Sequence, residues 1–185
     1  MNAIELMMDE HRYIEHMLKV IRAVCLKIVK NEIKEEDYND FDLIIKFVRE
    51  FADGHHHKKE EVFLFNEMVD NLGAIGEKLV KLGMLVEHDM GRLYIKNLEE
   101  AVQKVKDGNE EAKIDVIGNA IAYTDLLTRH IDKEDRVVYT FAQRELKDEI
   151  MDEVNSKCMN YESEHKDIRN KYIDLLEKLE NKYLT

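Results

Sequence analysis

Proline and tryptophan are absent from the chain, glycine occurs only seven times and cysteine twice. Without proline nothing forces a helix to stop, and 37% charged residues suit exposed helix faces, so long helices are expected. Two isolated cysteines, Cys25 and Cys158, exclude a disulfide scaffold. Cys25 lies among Val20, Ile21, Val24 and Ile28, which predicts a buried, inert thiol. No Cys-x-x-Cys, no Cys-x-x-Cys-His and no His-Glu-x-x-His occurs, so those redox, haem and zinc-protease signatures are missing. Basic charge is in deficit: 28 Lys and Arg face 40 Asp and Glu, a net −12. That excludes a general phosphate-backbone binder and disfavours an anionic membrane surface, so no nucleic acid and no membrane is expected as partner. No apolar run approaches the ~20 residues that span a bilayer. Residues 1–10 carry three acids and no base, unlike a secretory signal, so a cytoplasmic protein is expected.

What the chain does have is an internal repeat. The stretch His56-His57-Lys58-Lys59-Glu60-Glu61-Val62-Phe63-Leu64-Phe65 returns as His130-Ile131-Asp132-Lys133-Glu134-Asp135-Arg136-Val137-Val138-Tyr139, 74 residues on (130 − 56). Each copy sets an imidazole and a carboxylate four residues apart, on one helix face. Glu10-His11 precedes the first copy and Glu87-His88 the second. The chain therefore reads as two helical hairpins, each giving a lone His and a His-x-x-x-Glu pair. The same spacing occurs at His11/Glu15 and His57/Glu61, but only the 56/60 frame matches 130/134 through Lys59/Lys133 and Phe65/Tyr139. His57 and Glu61 lie about 100° further round an α-helix and are left outside the ligand set.

At 185 residues one domain is expected, a bundle core over about 3–145 with an appended helix over about 148–182. The first helix, about Ala3 to Lys30, carries Ile4, Met7, His11, Ile14, Leu18, Ile21, Cys25 and Ile28 at steps of three and four. A second starts between Glu35 and Asp40 and runs to about Asp70, with Asp53-Gly54 marking a kink or loosening one turn before the repeat. The third, about Ile75 to Lys106, carries Leu79, Leu82, Leu85, His88, Leu93, Ile95 and Leu98. Lys106-Asp107-Gly108-Asn109 is the clearest breaker, and the fourth follows from about Glu111 to Glu145. The fifth, about Asp148 to Lys182, is either packed on the bundle or a homodimer surface.

The repeat-matched residues are His11, His56, Glu60, His88, His130 and Glu134. Four imidazoles with two carboxylates suit divalent transition metals, and exceed what one tetrahedral zinc needs. If each of two ions takes two His and one oxygen from each bridging Glu, a six-coordinate ion keeps positions for an oxide or hydroxide bridge and a small outside ligand. Met7, Met84, Leu85, Gly91, Leu126 and Leu127 lie one turn from the imidazoles, which predicts a mostly apolar pocket. Tyr123, two turns before His130, is read as a core tyrosine that could also face that pocket. Lys59 and Lys133 read as solvated, His16 and His165 as surface groups. His55 and His57 read as outer or solvated groups, either able to swap into the site if the 53–57 region is irregular, and Glu15 and Glu61 as outer or solvated groups that could serve as carboxylates in reserve.

Four motifs in order, Glu10-His11-Arg12-x-Ile14, His56-His57-x-Lys59-Glu60-Glu61-x-x-Leu64-Phe65, Glu87-His88-Asp89-x-Gly91-Arg92 and His130-x-x-x-Glu134, resemble the hemerythrin-like (HHE cation-binding) family over roughly residues 3–145. The resemblance implies an up-down four-helix bundle with a non-haem di-iron centre on the same six residues. Oxygen-carrying members add a fifth His through a His-x-x-x-His pair. Here Arg92 stands four residues after His88, which leaves the site more open. The function expected is binding of, or reaction with, dioxygen, nitric oxide or peroxide. The alternatives are a non-catalytic iron- or oxygen-responsive module, or iron delivery for repair of iron centres. Ferritin is disfavoured: it needs two Glu-x-x-His motifs, and only Glu162-x-x-His165 is found.

Overall fold

The computed structural model describes residues 2–184. Six long helices account for nearly all of them, with no strand among the described residues. We number them α1 (Ala3–Val29), α2 (38–71), α3 (73–106), α4 (113–145), α5 (Asp148–Glu164) and α6 (Lys166–Tyr183). Helix α1 begins at a capping box: the Asn2 side chain accepts from Glu5 N, and the Glu5 carboxylate accepts from Asn2 N. Its end turns through Asn31 at φ 54°, a left-handed conformation asparagine tolerates. Helix α3 gives way at Gly108, φ 93°, where a side chain would be strained. Helices α1 to α4 form an up-down ring in which each borders two neighbours.

The α1 stripe is buried as its spacing predicts, from Ile4 to Ile28. The α3 stripe is buried only in part: His88, Ile95 and Leu98 are, but Leu82 is 73% exposed and Leu93 53%. At Leu82 a π-helical turn over Val80–Met84 faces Val80 and Met84 inward instead, while Leu93 falls five residues after His88, off the steps of three and four. Wider turns also occupy Val48–His57, Lys59–Phe65 and Glu134–Val138. Gly54 lies inside the first, so the loosening expected there takes this form. A Cβ at Gly54 would come within 3.0 Å of the Arg49 carbonyl oxygen.

The single fifth helix expected over 148–182 is two helices. His165 leaves helical geometry (φ −117°, ψ 19°), stacks on Tyr161 and hydrogen-bonds the Tyr161 carbonyl through Nδ1 (2.8 Å). Both pack on α1 and α2, covering the bundle through Val154, Cys158, Tyr172, Leu176 and Leu179. Met159, an apolar position of α5, is 37% exposed. Burial pushes the Cys25 thiol up to about 11 and the Cys158 thiol up to about 12, so neither is a ready nucleophile.

The core is cut in two at one level. One apolar cluster holds Ile14 to Ile28, Phe41 to Ala52, Ile95 to Val105 and Val116 to Ile131. The other holds Ala3 to Met7, Leu64 to Met68, Val80 to Met84 and Val138 to Leu146. Between them, on all four helices, lie His11, His56 and Glu60, His88, and His130 and Glu134. No helix among the described residues is long and apolar enough to cross a membrane.

Candidate metal centre

All six repeat-matched residues are buried and converge on this layer. The imidazoles form two pairs: His11 with His56, ring centroids 4.5 Å apart, and His88 with His130, 4.8 Å apart. Each carboxylate reaches both pairs. Glu60 Oε2 lies 3.6 Å from His56 Nε2 and 3.5 Å from His88 Nε2. Glu134 lies 3.4 Å from His11 Nε2 through Oε2, and 3.1 Å from His130 Nε2 through Oε1.

The other ring nitrogen of each histidine is taken. Nδ1 donates to Asp135 from His11 (2.7 Å), to Glu10 from His56 (2.9 Å), to Glu61 from His88 (2.7 Å) and to Glu87 from His130 (2.8 Å). An ionised carboxylate only accepts, so the proton sits on Nδ1 and Nε2 faces the centre. Each carboxylate is itself gripped by a cation: Arg12 on Asp135, Lys59 on Glu10, Arg92 on Glu61, Lys133 on Glu87. These outer partners fix tautomer and ring direction, as they do around metal-bound imidazoles.

The sequence reading placed Lys59 in solvent. It is wholly buried, because Glu10 on α1 and Glu162 on α5 close over its ammonium. Glu61 takes His88, and Glu15 instead pairs with Arg12 at the surface. His55 points outward to Glu162 (2.9 Å). His16 pairs with Glu180 at the surface. Tyr139 was visible only as a repeat aromatic, yet its hydroxyl donates to Glu60 and its ring stacks on His11. His57 turns inward and stacks on His88, centroids 3.7 Å apart. The repeated Glu10/Glu87 and Lys59/Lys133 were the signal for the outer partners.

The electrostatics call for a cation. His56 Nε2, Glu60 Oε2 and both Glu134 oxygens are buried with no hydrogen-bond partner among the described residues. Buried polar atoms are seldom left so. Burial alone would lower the imidazoles, but their carboxylates outweigh it. Asp135 and Glu134 carry His11 up to about 9, Glu134 and Glu61 carry His88 up to about 9, and Glu134 and Glu87 carry His130 up to about 10. His57 goes the other way, pushed well below the ordinary value by burial and by His88. His130 and Lys133 hold the Glu87 carboxyl down at about 2. Two groups, His11/His56/Glu60/Glu134 and His57/His88/His130, each bring donor atoms within 4.8 Å of one another. The donor set fits metal: neutral imidazole nitrogen with carboxylate oxygen.

The sequence profile of the hemerythrin HHE cation-binding domain matches residues 2–142. The chain belongs to this hemerythrin family. The match covers α1 to α3 and nearly all of α4, and ends before α5 and α6. Membership makes the bundle a metal-binding helical domain, and the family's metal is typically iron. A search of curated proteins and a search of solved structures each find no significant match.

One cavity of this hemerythrin-family bundle reaches the centre. It encloses about 460 Å³ and ends on His57 and His88. Val48, Gly91, Ile95, Tyr123 and Leu127 form its walls, with Arg49, Arg92 and Lys96 among its polar lining. Tyr123 is thus both core (2% exposed) and cavity wall. A Cβ at Gly91 would sit 3.5 Å from Leu127 and 3.6 Å from Tyr123, so it fits, and anything longer enters the cavity.

Proposed function

We infer that the centre holds two iron ions and that the protein binds or reacts with a small molecule such as dioxygen, nitric oxide or peroxide. The observation that carries this is the pair of bridging-positioned carboxylates, Glu60 and Glu134, each reaching both imidazole pairs with oxygens that nothing else satisfies. Two irons there would supply electrons and open coordination positions. The chain's own residues do the rest. Nδ1 partners hold four Nε2 lone pairs inward, apolar clusters pack above and below the layer, and Tyr139 offers a hydroxyl beside Glu60. Anaerobic loading with ferrous iron is expected to give about two irons per chain, with new visible absorption on exposure to air. Binding of fewer than two irons would sink this reading.

The cavity at His88 is the route by which the small molecule arrives. Gly91→Leu is expected to slow the reaction of the iron-loaded protein with nitric oxide at least tenfold, with iron content unchanged. An unaltered rate by stopped-flow absorption would place the route elsewhere.

A second reading, an iron-responsive module, is favoured by one contact. Glu162 on α5, outside the family match, joins Lys59, which joins Glu10, which holds His56. On this reading iron loading alters helicity or oligomeric state without turnover. Constant helicity and constant size on loading would count against it.

A further inference from the structure

The cavity that ends on His57 and His88 is far larger than a diatomic ligand needs. At about 460 Å³ it lies in the range of organic-ligand sites, roughly 300–1,000 Å³. An apolar cavity of about 150 Å³ already holds benzene. Its space is kept open by Gly91. A Cβ there would meet Leu127 at 3.5 Å and Tyr123 at 3.6 Å, both ordinary contacts, so alanine would fit and would suit the helix better. Close packing of α3 on α4 does not ask for a glycine at this place, and an open cavity does.

One polar group on the wall has nothing to bond. Tyr123 is 2% exposed, its ring edge borders Gly91, and its hydroxyl has no hydrogen-bond partner among the described residues. Buried tyrosine hydroxyls usually find one. Burial, with the Asp53 charge nearby, pushes this hydroxyl above its ordinary range, so it stays protonated and can donate. The cations of the lining are already answered. Arg49 has Glu99 (2.6 Å), Arg92 has Asp53 (2.6 Å) and Glu61 (2.7 Å), and Lys96 has Glu100 (3.9 Å). An entering anion would have to displace one of those acids and would face Asp53 on the wall.

We propose that this cavity binds a neutral organic molecule about the size of a substituted benzene ring, its apolar body against Val48, Ile95 and Leu127 and an acceptor oxygen on the Tyr123 hydroxyl. The proposal goes beyond the diatomic ligands and peroxide inferred above, and it stands on the cavity rather than on iron. An occupant there adjoins His88 and so borders the metal layer.

The test is titration of the full-length protein with p-cresol, read by calorimetry and ligand-observed NMR, with toluene and benzoate as comparisons. p-Cresol is expected to bind saturably. Tyr123→Phe keeps the ring and is expected to weaken p-cresol about three- to tenfold, the loss of one hydrogen bond. Toluene has the same ring and no oxygen, and its binding is expected to be unchanged by that substitution. Gly91→Leu, with helicity checked by circular dichroism, is expected to abolish binding of both. No binding of p-cresol, or an equal response of p-cresol and toluene to Tyr123→Phe, would overturn the proposal. Undiminished binding in a folded Gly91→Leu protein would place p-cresol outside the cavity and overturn it too. Tighter binding of benzoate than of p-cresol would assign the cavity to anions, with the same consequence. The titration is run on metal-free and iron-loaded protein, and the two are expected to agree. Binding that appears only with iron, together with a new visible band, would make p-cresol a ligand of the metal and overturn the proposal. Binding by a protein that takes up no iron would support it and sink the metal centre instead.

Discussion

Glu134→Gln is expected to remove most of the metal-dependent rise in melting temperature and, separately, to lower the melting temperature of the metal-free protein at neutral pH. The two halves of that statement have different causes. A ligand that binds only the folded state stabilises it by about 4 kcal/mol at ~1,000 times its dissociation constant. At roughly 2–4 °C per kcal/mol for a chain of this size, that is on the order of 12 °C. Losing one bridging carboxylate is expected to weaken metal binding by 100-fold or more. At the same metal concentration that leaves about a third of the gain. Without metal, Glu134 faces His130 Nε2 at 3.1 Å and His11 Nε2 at 3.4 Å and helps to hold His11, His88 and His130 above their ordinary values, so at neutral pH the amide forfeits that attraction. The loss is full below the ordinary imidazole range and fades as pH rises through about 9 to 10, where the rings are neutral in both proteins. Thermal melts with and without ferrous iron decide the matter. An undiminished metal-dependent rise in the variant would show that Glu134 is no ligand. A metal-free melt equal to wild type at neutral pH would show that Glu134 does not hold the imidazoles charged.

The six residues were legible because each is written twice, in matched frames 74 or 77 residues apart, and helices turn that repetition into facing side chains. The α1 stripe was legible for a related reason: one unbroken period runs from Ile4 to Ile28, and every member is buried. Where the period changes, reading at 3.6 residues per turn fails. Leu82 was assigned to the core and lies outside it, because the wide turn at Val80–Met84 moves the register there; Leu93 lies outside it because it falls five residues after His88, off the buried steps of three and four through Gly91, Ile95 and Leu98. His57, expected among the outer or solvated groups, ends a π-helical stretch of α2 and is buried against His88. The break at His165 has no proline or glycine to announce it, and rests on the Tyr161 carbonyl and ring.

The outer partners were half legible. Glu10 and Glu87 recur beside the lone histidines, but each serves the imidazole of a different helix, His56 and His130, which only the bundle brings near. A lysine reads as solvated until its acids are placed around it. For Lys59 those acids come from α1 and α5, 49 and 103 residues away. Lys133, its repeat counterpart, has no such roof: its side chain is 43% exposed, and there the surface reading holds. The asymmetry follows from α5 and α6 covering α1 and α2 and not the other half.

That asymmetry makes Lys59→Met the second large effect. The change keeps the stem and deletes the ammonium, leaving the Glu10 and Glu162 carboxylates facing each other with His55, His56 and, on the Glu162 side, Arg169 (3.5 Å). Burial pushes the Glu10 carboxyl up, and hydrogen bonds from His55 and His56 with the Lys59 charge hold it far below its ordinary range. Removing one partner of a buried ion pair costs about 3–5 kcal/mol, on the order of 10 °C here. Lys133→Met, at the exposed counterpart, is expected to cost under about 1 kcal/mol, as surface pairs do. The combination Glu10→Gln, Lys59→Met, Glu162→Gln is expected to recover much of the loss, since no unpaired charge remains buried. It is not expected to recover metal affinity. With glutamine in place of Glu10, the His56 ring loses the acceptor that fixes its tautomer, a loss worth roughly 10- to 100-fold around metal sites. A Lys59→Met melt within 2 °C of wild type would mean the ammonium contributes nothing. Recovery of stability without recovery of metal affinity would separate its structural task from its task behind His56.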